Sequence, residues 1–364
     1  MALAPDGRTR RRGRRPPPPG AASPPGFAGV RFVGAPGEGF GAFFGDRLVS
    51  PQPGAGPLRI LALSGGGAGG AFGAGALVGL SRAKARPHFD IVTGVSTGAL
   101  IAPLALLGEA WDDRLRDAYA GGAAQQALAL TQLRPGPSLY ARDALVGLVR
   151  RYVDEALIAA VGEAHDAGRG LFVATSNLDS QTTSVWDLGA VAARGGPAAL
   201  ELFTDVLIAS ASLPGVFPPR LIPVECDGEL YEEMHVDGGA VSPIFVVPES
   251  LLLQRAAELQ ARGAEVYALV NTTLRPEPRA TPLGAVPILM RSFELMLRSS
   301  YRSALRSVAA FCELNGFTLY AAAMPPEFSG VSMLRFERTF MAGIFDAAVG
   351  VAEQGRLWSA DLAA

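Results

Sequence analysis

The sequence predicts an α/β protein in which helices cover a mostly parallel sheet. Two short apolar runs, Leu58–Leu63 and Phe89–Thr93, have the length and composition of buried strands. Each is followed by a glycine-rich turn and then by a helical pattern of small and apolar residues, Ala71–Arg82 and Ala99–Leu107. This alternation of strand, turn and helix is typical of a parallel sheet with helices packed on it.

The remaining elements follow in chain order. Residues 110–168 predict helices, with a break at Pro135-Gly136-Pro137. Further strands are expected at Gly170–Thr175, Thr182–Trp186, Glu265–Val270 and Gly316–Ala321, an extended run at Leu230–Val236, and further helices at Ala198–Ser210, Leu251–Arg262, Val286–Phe311 and 340–360. No internal repeat is visible, so we expect one α/β domain over residues 58–364 with a helical C-terminal region.

Residues 1–57 differ in composition from the rest of the chain. Residues 1–15 contain six arginines and one aspartate, and Pro16–Pro19 and a Gly/Pro/Ala stretch follow. This composition favours a disordered segment, with a basic tail that contacts a membrane or a polyanion as the alternative. A secretory signal needs an apolar stretch after its basic residues, so we recognise no signal peptide and leave the compartment open.

Composition also bears on partners and cofactors. The net charge of −2 gives no reason to expect nucleic acid. Cys226 and Cys312 are too few for a disulfide framework or a four-ligand metal site, and we expect neither a metal nor a cofactor. The uncharged stretch Ile91–Gly108 has the minimum length of a membrane span, but its glycines and Pro103 favour a strand, a turn and a buried helix.

Ser96 lies in the first motif that carries chemistry. Gly94-Val95-Ser96-Thr97-Gly98 fits the pattern G-x-S-x-G and stands between an expected strand and an expected helix. In that context the serine occupies a sharp turn that lifts its hydroxyl above the sheet edge. The N-terminus of the following helix then directs N–H groups at the reacting oxygen. The pattern alone also fits an ordinary glycine turn.

The second motif is the glycine-rich segment Ser64–Gly70, which follows the first expected strand. Its main-chain N–H groups can approach an anion without a Cβ in the way. One interpretation is a dinucleotide-binding loop, since the segment fits G-x-G-x-x-G and Asp90 has the spacing of the ribose-binding acid, although Asp90 precedes the apolar residues Ile91 and Val92 instead of following them. The other interpretation is an oxyanion hole, which also accounts for Ser96.

Asp237-Gly238-Gly239 is the third motif. By itself the triplet is typical of a turn, but together with Ser96 it predicts a general base, because a serine needs a partner that removes its proton. The alternative is a triad, since Ser96, Asp179 and His235 follow the chain order Ser–acid–His. His235 lies two residues before Asp237, so the two side chains would share one face of an extended strand.

In this order the three motifs resemble those of the patatin-like phospholipases, lipid acyl hydrolases that use a Ser–Asp dyad and no histidine. The resemblance is densest over Ile60–Leu107, recurs at His235–Val241 and does not extend to residues 1–57. It implies a three-layer α/β/α sandwich with a mostly parallel central sheet.

The resemblance also implies roles for individual residues. Ser96 is the implied nucleophile, and Asp237 is its implied base. The backbone N–H groups of Gly66, Gly67 and Ala68 are the implied oxyanion donors.

The neighbouring glycines complete the implied site. Gly94 and Gly98 would form the nucleophile elbow, and Gly238 and Gly239 belong to the D-G-G motif. The family loop is usually G-G-G-x-R-G, whereas Gly69 stands at the arginine position in this sequence. The choice between a phospholipid and a neutral ester therefore stays open.

The sequence thus predicts a serine hydrolase that cleaves carboxylic esters of phospholipids or other lipids through an acyl-enzyme. Its substrate is expected at a membrane or micelle surface. The protein itself is expected to have no transmembrane span, and its oligomeric state stays open. Arg298, Arg302 and Arg306, at four-residue spacing, fit either a membrane-facing stripe or a solvated helix edge. The alternative functions are a Rossmann-like nucleotide-binding oxidoreductase and a non-catalytic protein that retains the scaffold.

Overall fold

The computed structural model describes residues 15–18, 22–33, 39, 43, 56–129, 142–275, 278, 280–328 and 333–358. The strands among these residues are β1 Arg31–Phe32, β2 Leu58–Leu63, β3 Ile91–Val95, β4 Gly170–Asn177, β5 Thr182–Asp187, β6 Arg220–Cys226, β7 Glu229–Asp237, β8 Ala264–Val270 and β9 Thr318–Ala323. They form one sheet in the order β1-β5-β4-β3-β2-β8-β9, with β7 paired to both β4 and β6.

The middle of the sheet is parallel, as the sequence predicts. β4, β3, β2, β8 and β9 are parallel neighbours, whereas β1, β5, β6 and β7 are attached in antiparallel fashion. Side chains along β2 alternate between two cores, with Leu61 and Leu63 on one face and Ile60 and Ala62 on the other.

Helices cover both faces. Among the described residues they are α1 Gly70–Arg82, α2 Thr97–Leu107, α3 Asp112–Ala120, α4 Ala123–Ala129, α5 Arg142–Tyr152, α6 Glu155–Asp166, α7 Leu188–Ala193, α8 Gly196–Ser210, α9 Ala257–Arg262, α10 Ala285–Asn315 and α11 Arg338–Glu353. α1, α2 and α11 close the first core, and α10 closes the second. The protein is therefore the expected three-layer α/β/α sandwich.

Several elements differ from the predictions, and one predicted break lies outside the described residues. The helix expected at Leu251–Arg262 is a short 3-10 turn followed by α9, and between them the Ala256 N–H donates to Asn315 Oδ1 at 2.7 Å instead of to a helical carbonyl. β6 was not expected, and it contains Pro223. Proline is tolerated there since β6 pairs only with β7 among the described strands. The predicted break at 135–137 lies outside the described residues.

Residues 22–33 belong to the segment that the sequence assigns to a disordered N-terminus, yet they pack against the sheet. Phe27 and Val30 are buried, and β1 pairs with β5. The Arg31 guanidinium donates to the Glu233 carboxylate, which is itself buried in the sheet. A few apolar residues among prolines and glycines thus suffice to dock this stretch. The boundary between an N-terminal segment and a catalytic domain at residue 58 stays a prediction.

Candidate active site

Ser96 occupies the sharp turn between β3 and α2. Its φ of 56° and ψ of −125° lie in a region that residues with a side chain rarely adopt. The flanking glycines are required by close packing: a Cβ on Gly94 would lie 2.6 Å from the Gly98 oxygen, and a Cβ on Gly98 would lie 2.4 Å from the Leu63 oxygen. The chain therefore makes the strained strand-to-helix turn that G-x-S-x-G predicts.

The sheet topology brings Asp237 to this turn. β3 pairs with β4 as far as Val95, opposite Ala174, and β7 continues along the same edge of β4 with Asp237 opposite Thr175. The ends of β3 and β7 therefore meet. Ser96 Oγ lies 2.5 Å from Asp237 Oδ2, although 141 residues separate the two in the sequence.

The Asp237 carboxylate is buried and accepts two hydrogen bonds. One comes from the Ser96 hydroxyl, and the other from the Gly239 N–H to Oδ1 at 2.8 Å. Burial raises the pKa of Asp237 to about 6, and the two hydrogen bonds partly offset this rise. A carboxylate with this pKa is a stronger base than an ordinary one and is still ionised at neutral pH. Gly238 is also constrained, since a Cβ there would lie 2.4 Å from the Ala174 oxygen.

Ser210, at the end of α8, supports the nucleophile turn. The Ser96 N–H donates to Ser210 Oγ at 3.0 Å, and Ser210 Oγ donates to the Ala174 oxygen at 2.7 Å. The Ser96 N–H is therefore already hydrogen-bonded and is not free to bind a ligand beside the Ser96 hydroxyl. Sequence reasoning missed Ser210, because a serine at a helix end carries no motif and the contact spans 114 residues.

Asn271, directly after β8, holds the glycine loop. Its Nδ2 donates to the Ser64 oxygen at 2.7 Å, its backbone N–H donates to Ser64 Oγ at 2.8 Å, and its Oδ1 accepts from the Gly73 N–H at 3.0 Å. The loop is thus fixed from both its first residue and the helix that follows it. Asn271 also lacks a sequence motif and was not predicted.

The three expected oxyanion donors differ in availability. The N–H groups of Gly66 and Gly67 make no hydrogen bond to any residue that the structure describes, and both glycines line the cavity that contains Ser96. The Ala68 N–H instead donates to the Met333 oxygen at 2.8 Å. In this structure the Ala68 N–H is therefore occupied, because the Met333 carbonyl uses this donor.

Gly69, at the position where the family loop carries arginine, has no room for a side chain. A Cβ there would lie 2.1 Å from the Asn271 oxygen. The same carbonyl lies 2.1 Å from a Cβ built on Gly66. The loop packs directly on the Asn271 backbone, so the missing cationic side chain has a steric reason in this fold.

Two adjoining cavities meet beside Ser96. The first, called here the Ser96 chamber, is lined by Ser96, Asp237 and mainly apolar side chains, among them Phe217 and Leu297. The second, the inner chamber, is lined almost entirely by apolar groups. The walls that the two share are Gly67, Thr97, Leu100, Leu148 and Phe336. Such mainly apolar cavities with a few polar groups are typical of sites for small apolar ligands.

Asp90 does not have the position that a dinucleotide site requires. It precedes β3, whereas the glycine loop follows β2, and the two strands are parallel. Asp90 therefore lies at the opposite edge of the sheet, where its Oδ2 accepts from the Arg59 N–H at 2.8 Å.

His235 does not form the triad that its chain order allows. Its Nδ1 lies 2.9 Å from Thr175 Oγ1, and its Nε2 lies 3.1 Å from Glu233 Oε2. Both ring nitrogens are thus engaged within the buried sheet. Asp179 accepts from the Met234 N–H at 2.8 Å. The arrangement brings Ser96 to Asp237 and leaves the histidine outside the site.

Two features are absent from the described part of the chain. No group of three or more His, Cys, Asp and Glu side chains there is arranged to hold a metal ion. None of the helices there combines the length and the apolar character that crossing a bilayer requires.

The fold and the site define a class: α/β proteins that hold a serine and an aspartate at one edge of a mostly parallel sheet, beside an apolar cavity. The family model for patatin-like phospholipase matches residues 61–248, more than half of the chain. The chain belongs to the patatin-like phospholipase family. Ser96, Asp237 and the glycine loop all lie within the matched residues.

Two solved structures are similar to this chain. VipD from Legionella pneumophila is 12% identical, with a TM-score of 0.35, over 82% of this chain and 67% of that one. The type III effector protein ExoU is 14% identical, with a TM-score of 0.21, over 82% of this chain and 53% of that one. The chain thus spans about half the length of ExoU. No curated protein matches the sequence.

Proposed function

We propose that this protein is a lipid acyl hydrolase that cleaves carboxylic ester bonds through a Ser96–Asp237 dyad and an acyl-enzyme. The observation that carries the proposal is the 2.5 Å distance between Ser96 Oγ and Asp237 Oδ2 inside the mainly apolar Ser96 chamber. Membership of the patatin-like phospholipase family supports the same class of reaction.

In the proposed mechanism Asp237 accepts the proton of Ser96 as Oγ attacks the ester carbonyl. The C–O bond to the alcohol then breaks, and the alcohol oxygen takes the proton back from Asp237. Water attacks the acyl-enzyme by the same steps in reverse order, with Asp237 again as the base. A pKa of about 6 for Asp237 suits both directions of proton transfer at neutral pH.

The N–H groups of Gly66 and Gly67 would stabilise the negative charge on the carbonyl oxygen. Both are without a partner among the described residues, and both line the chamber. Donors held in place before the reaction cost no reorganisation, and the loss of one donor typically costs about 3 kcal/mol of transition-state stabilisation.

The two chambers support a substrate with a long hydrocarbon chain. Leu100, Leu148 and Phe336 line both chambers, and the inner chamber extends between helices away from Ser96. An acyl chain bound there would leave its ester carbon near Ser96. The head group stays unassigned, since Gly69 carries no cationic side chain.

The outer face of α10 supports docking at a lipid surface. Leu289, Leu295 and Met296 are each about two-thirds exposed on this helix. The opposite face of the same helix contributes Leu297 and Tyr301 to the Ser96 chamber. A bilayer that receives the exposed side chains would therefore lie close to the chamber.

The basic stripe of α10 favours an anionic lipid surface. Arg298, Arg302 and Arg306 form no ion pair with the residues that the structure describes. Arginines near an anionic leaflet each contribute about 1 kcal/mol of attraction.

Labelling by a fluorophosphonate tests the dyad. Wild-type protein should be labelled covalently and should hydrolyse a p-nitrophenyl ester, whereas Ser96→Ala should lose both, with activity falling on the order of 10⁴-fold. Asp237→Asn should slow both reactions strongly. Ser180→Ala, a change at an exposed serine, is the matched control and should retain both. Full activity of Ser96→Ala would refute the proposal, and an unlabelled, inactive wild type would favour a non-catalytic scaffold.

A further inference from the structure

Tyr301 is a buried tyrosine whose hydroxyl faces the Ser96 chamber. Its side chain projects from α10, is only 4% exposed and lines the chamber together with Ser96 and Asp237. No hydrogen bond joins this hydroxyl to a residue within the described ranges. A buried tyrosine hydroxyl normally has a partner, so this one is a donor available to a ligand.

The other polar side chains of the chamber already have partners. Ser96 is bonded to Asp237, and Thr97 Oγ1 lies 3.0 Å from Tyr119 Oη. Among the described side chains that line the chamber, Tyr301 is thus the polar group left for a substrate.

Gly65 shows how close the hydroxyl lies to the nucleophile. A Cβ built on Gly65 would lie 2.9 Å from Tyr301 Oη and 3.1 Å from Ser96 Cβ. The tyrosine hydroxyl and the serine therefore flank the same glycine, and only the absence of a side chain there leaves the space between them open.

The protonation state of the Tyr301 hydroxyl follows from its surroundings. Burial, and after it the negative charge of Asp237, raise the pKa of Tyr301 well above its usual value. The hydroxyl therefore keeps its proton at neutral pH and acts as a hydrogen-bond donor.

We propose that Tyr301 is a further catalytic residue, whose hydroxyl donates a hydrogen bond to the oxygen of the departing alcohol. This inference rests on the proposed function. As the tetrahedral intermediate collapses, the carbonyl re-forms, the C–O bond breaks and its electron pair remains on the alcohol oxygen. The proton that Asp237 took from Ser96 passes to that oxygen, and Tyr301 keeps its own proton while stabilising the developing charge.

The alcohol, rather than the carbonyl oxygen, is assigned to Tyr301 for two reasons. The carbonyl oxygen already has the free N–H groups of Gly66 and Gly67. The alcohol must be reached by Asp237, and Tyr301 lies close enough to feel the charge of that carboxylate.

The test compares two soluble esters of one acid, p-nitrophenyl butyrate and ethyl butyrate, with Tyr301→Phe. Nitrophenolate leaves readily without help, whereas ethoxide needs stabilisation. We therefore expect kcat/KM to fall about 10- to 100-fold for the ethyl ester and less than about threefold for the p-nitrophenyl ester. Because kcat/KM reports only the steps up to acylation, deacylation of the common acyl-enzyme does not affect the comparison of the two esters.

Two controls make the result decisive. Fluorophosphonate titration counts active sites, so a partly unfolded variant does not mimic the effect. Tyr320→Phe, at a tyrosine stacked on Tyr267 and outside the chamber, should change neither rate. An equal fall for both esters, or no fall for either, would overturn the role of Tyr301. If Ser96→Ala retains activity, the proposed function itself fails.

Discussion

The floor and the roof of the Ser96 chamber are held in different ways. The floor consists of the Ser96 turn, the glycine loop and the end of β7, which are mostly buried and are tied by hydrogen bonds to Asn271 and Ser210. The roof consists of α10 and residues 333–336, and it carries exposed leucines on its outer side. Of the two, only the floor lies within the residues that the family model matches.

This difference matches the tasks proposed for the two regions. Proton transfer and oxyanion stabilisation depend on distances that must not vary by more than a fraction of an ångström. Entry of a lipid requires exposed apolar surface that is not packed against other parts of the protein. Floor and roof should therefore respond differently to substitution.

The largest effect is expected from Gly69→Arg in the floor. The substitution restores the arginine of the family loop, but its Cβ would lie 2.1 Å from the Asn271 oxygen. We expect the loop to be displaced, esterase activity to fall more than about 100-fold and the melting temperature to drop. Gly147→Arg, at a helical glycine with open space around its Cβ, is the matched control and should be tolerated. Raised activity in Gly69→Arg would mean that the packing of the glycine loop on the Asn271 backbone does not fix its position.

The next largest effect is expected on acidification, which should lower the esterase rate about tenfold per pH unit. Asp237 must be ionised to accept the Ser96 proton, and burial raises its pKa to about 6. We expect kcat/KM for a soluble ester to fall about tenfold for each pH unit below about 6 and to level off above it. Circular dichroism at each pH verifies that the fold persists. A rate that stays level through the acidic range would show that another group is the base.

A smaller effect is expected from the roof. Replacing Leu289, Leu295 and Met296 together by serine removes apolar area that we expect to enter a lipid surface. Binding to vesicles that contain anionic lipid, measured by co-sedimentation, should weaken about 10- to 100-fold. The rate on soluble p-nitrophenyl butyrate should stay within about twofold, because these side chains face away from the Ser96 chamber.

Leu253→Ser is the control for this prediction, since Leu253 is a strongly exposed leucine outside α10. It should leave vesicle binding as it is in the wild type. Equal binding by the triple variant and the wild type would place the membrane contact elsewhere or exclude it.

The parallel sheet and the meeting of Ser96 with Asp237 could be anticipated from the sequence. Ser96 follows a strand of the parallel sheet, whereas β7 is antiparallel to β4, so the meeting of Asp237 with Ser96 was anticipated from the order of the three motifs and the family that they resemble. Local residue patterns carry this information because the turn and its glycines are adjacent in the chain.

The supports of the site could not be anticipated in this way. Asn271 bonds to Ser64 across 207 residues, and Met333 reaches Ala68 from the far C-terminal part of the chain. Such contacts depend on the register of distant elements. Tyr301 lay unnoticed inside a long helix pattern, because nothing in that pattern distinguishes a tyrosine above a chamber from one in a core.

The burial of Asp237 has a consequence for the folding stability of the whole chain. In the unfolded chain this carboxyl titrates near its ordinary pKa of 3.8, whereas in the folded protein burial raises the pKa to about 6. Between these values the folded state binds more protons than the unfolded one, so the free energy of unfolding decreases as the pH rises. Above a pH of about 6 the full loss, about 3 kcal/mol, is present. The pH range in which Asp237 can act as a base is thus the range in which it weakens the fold.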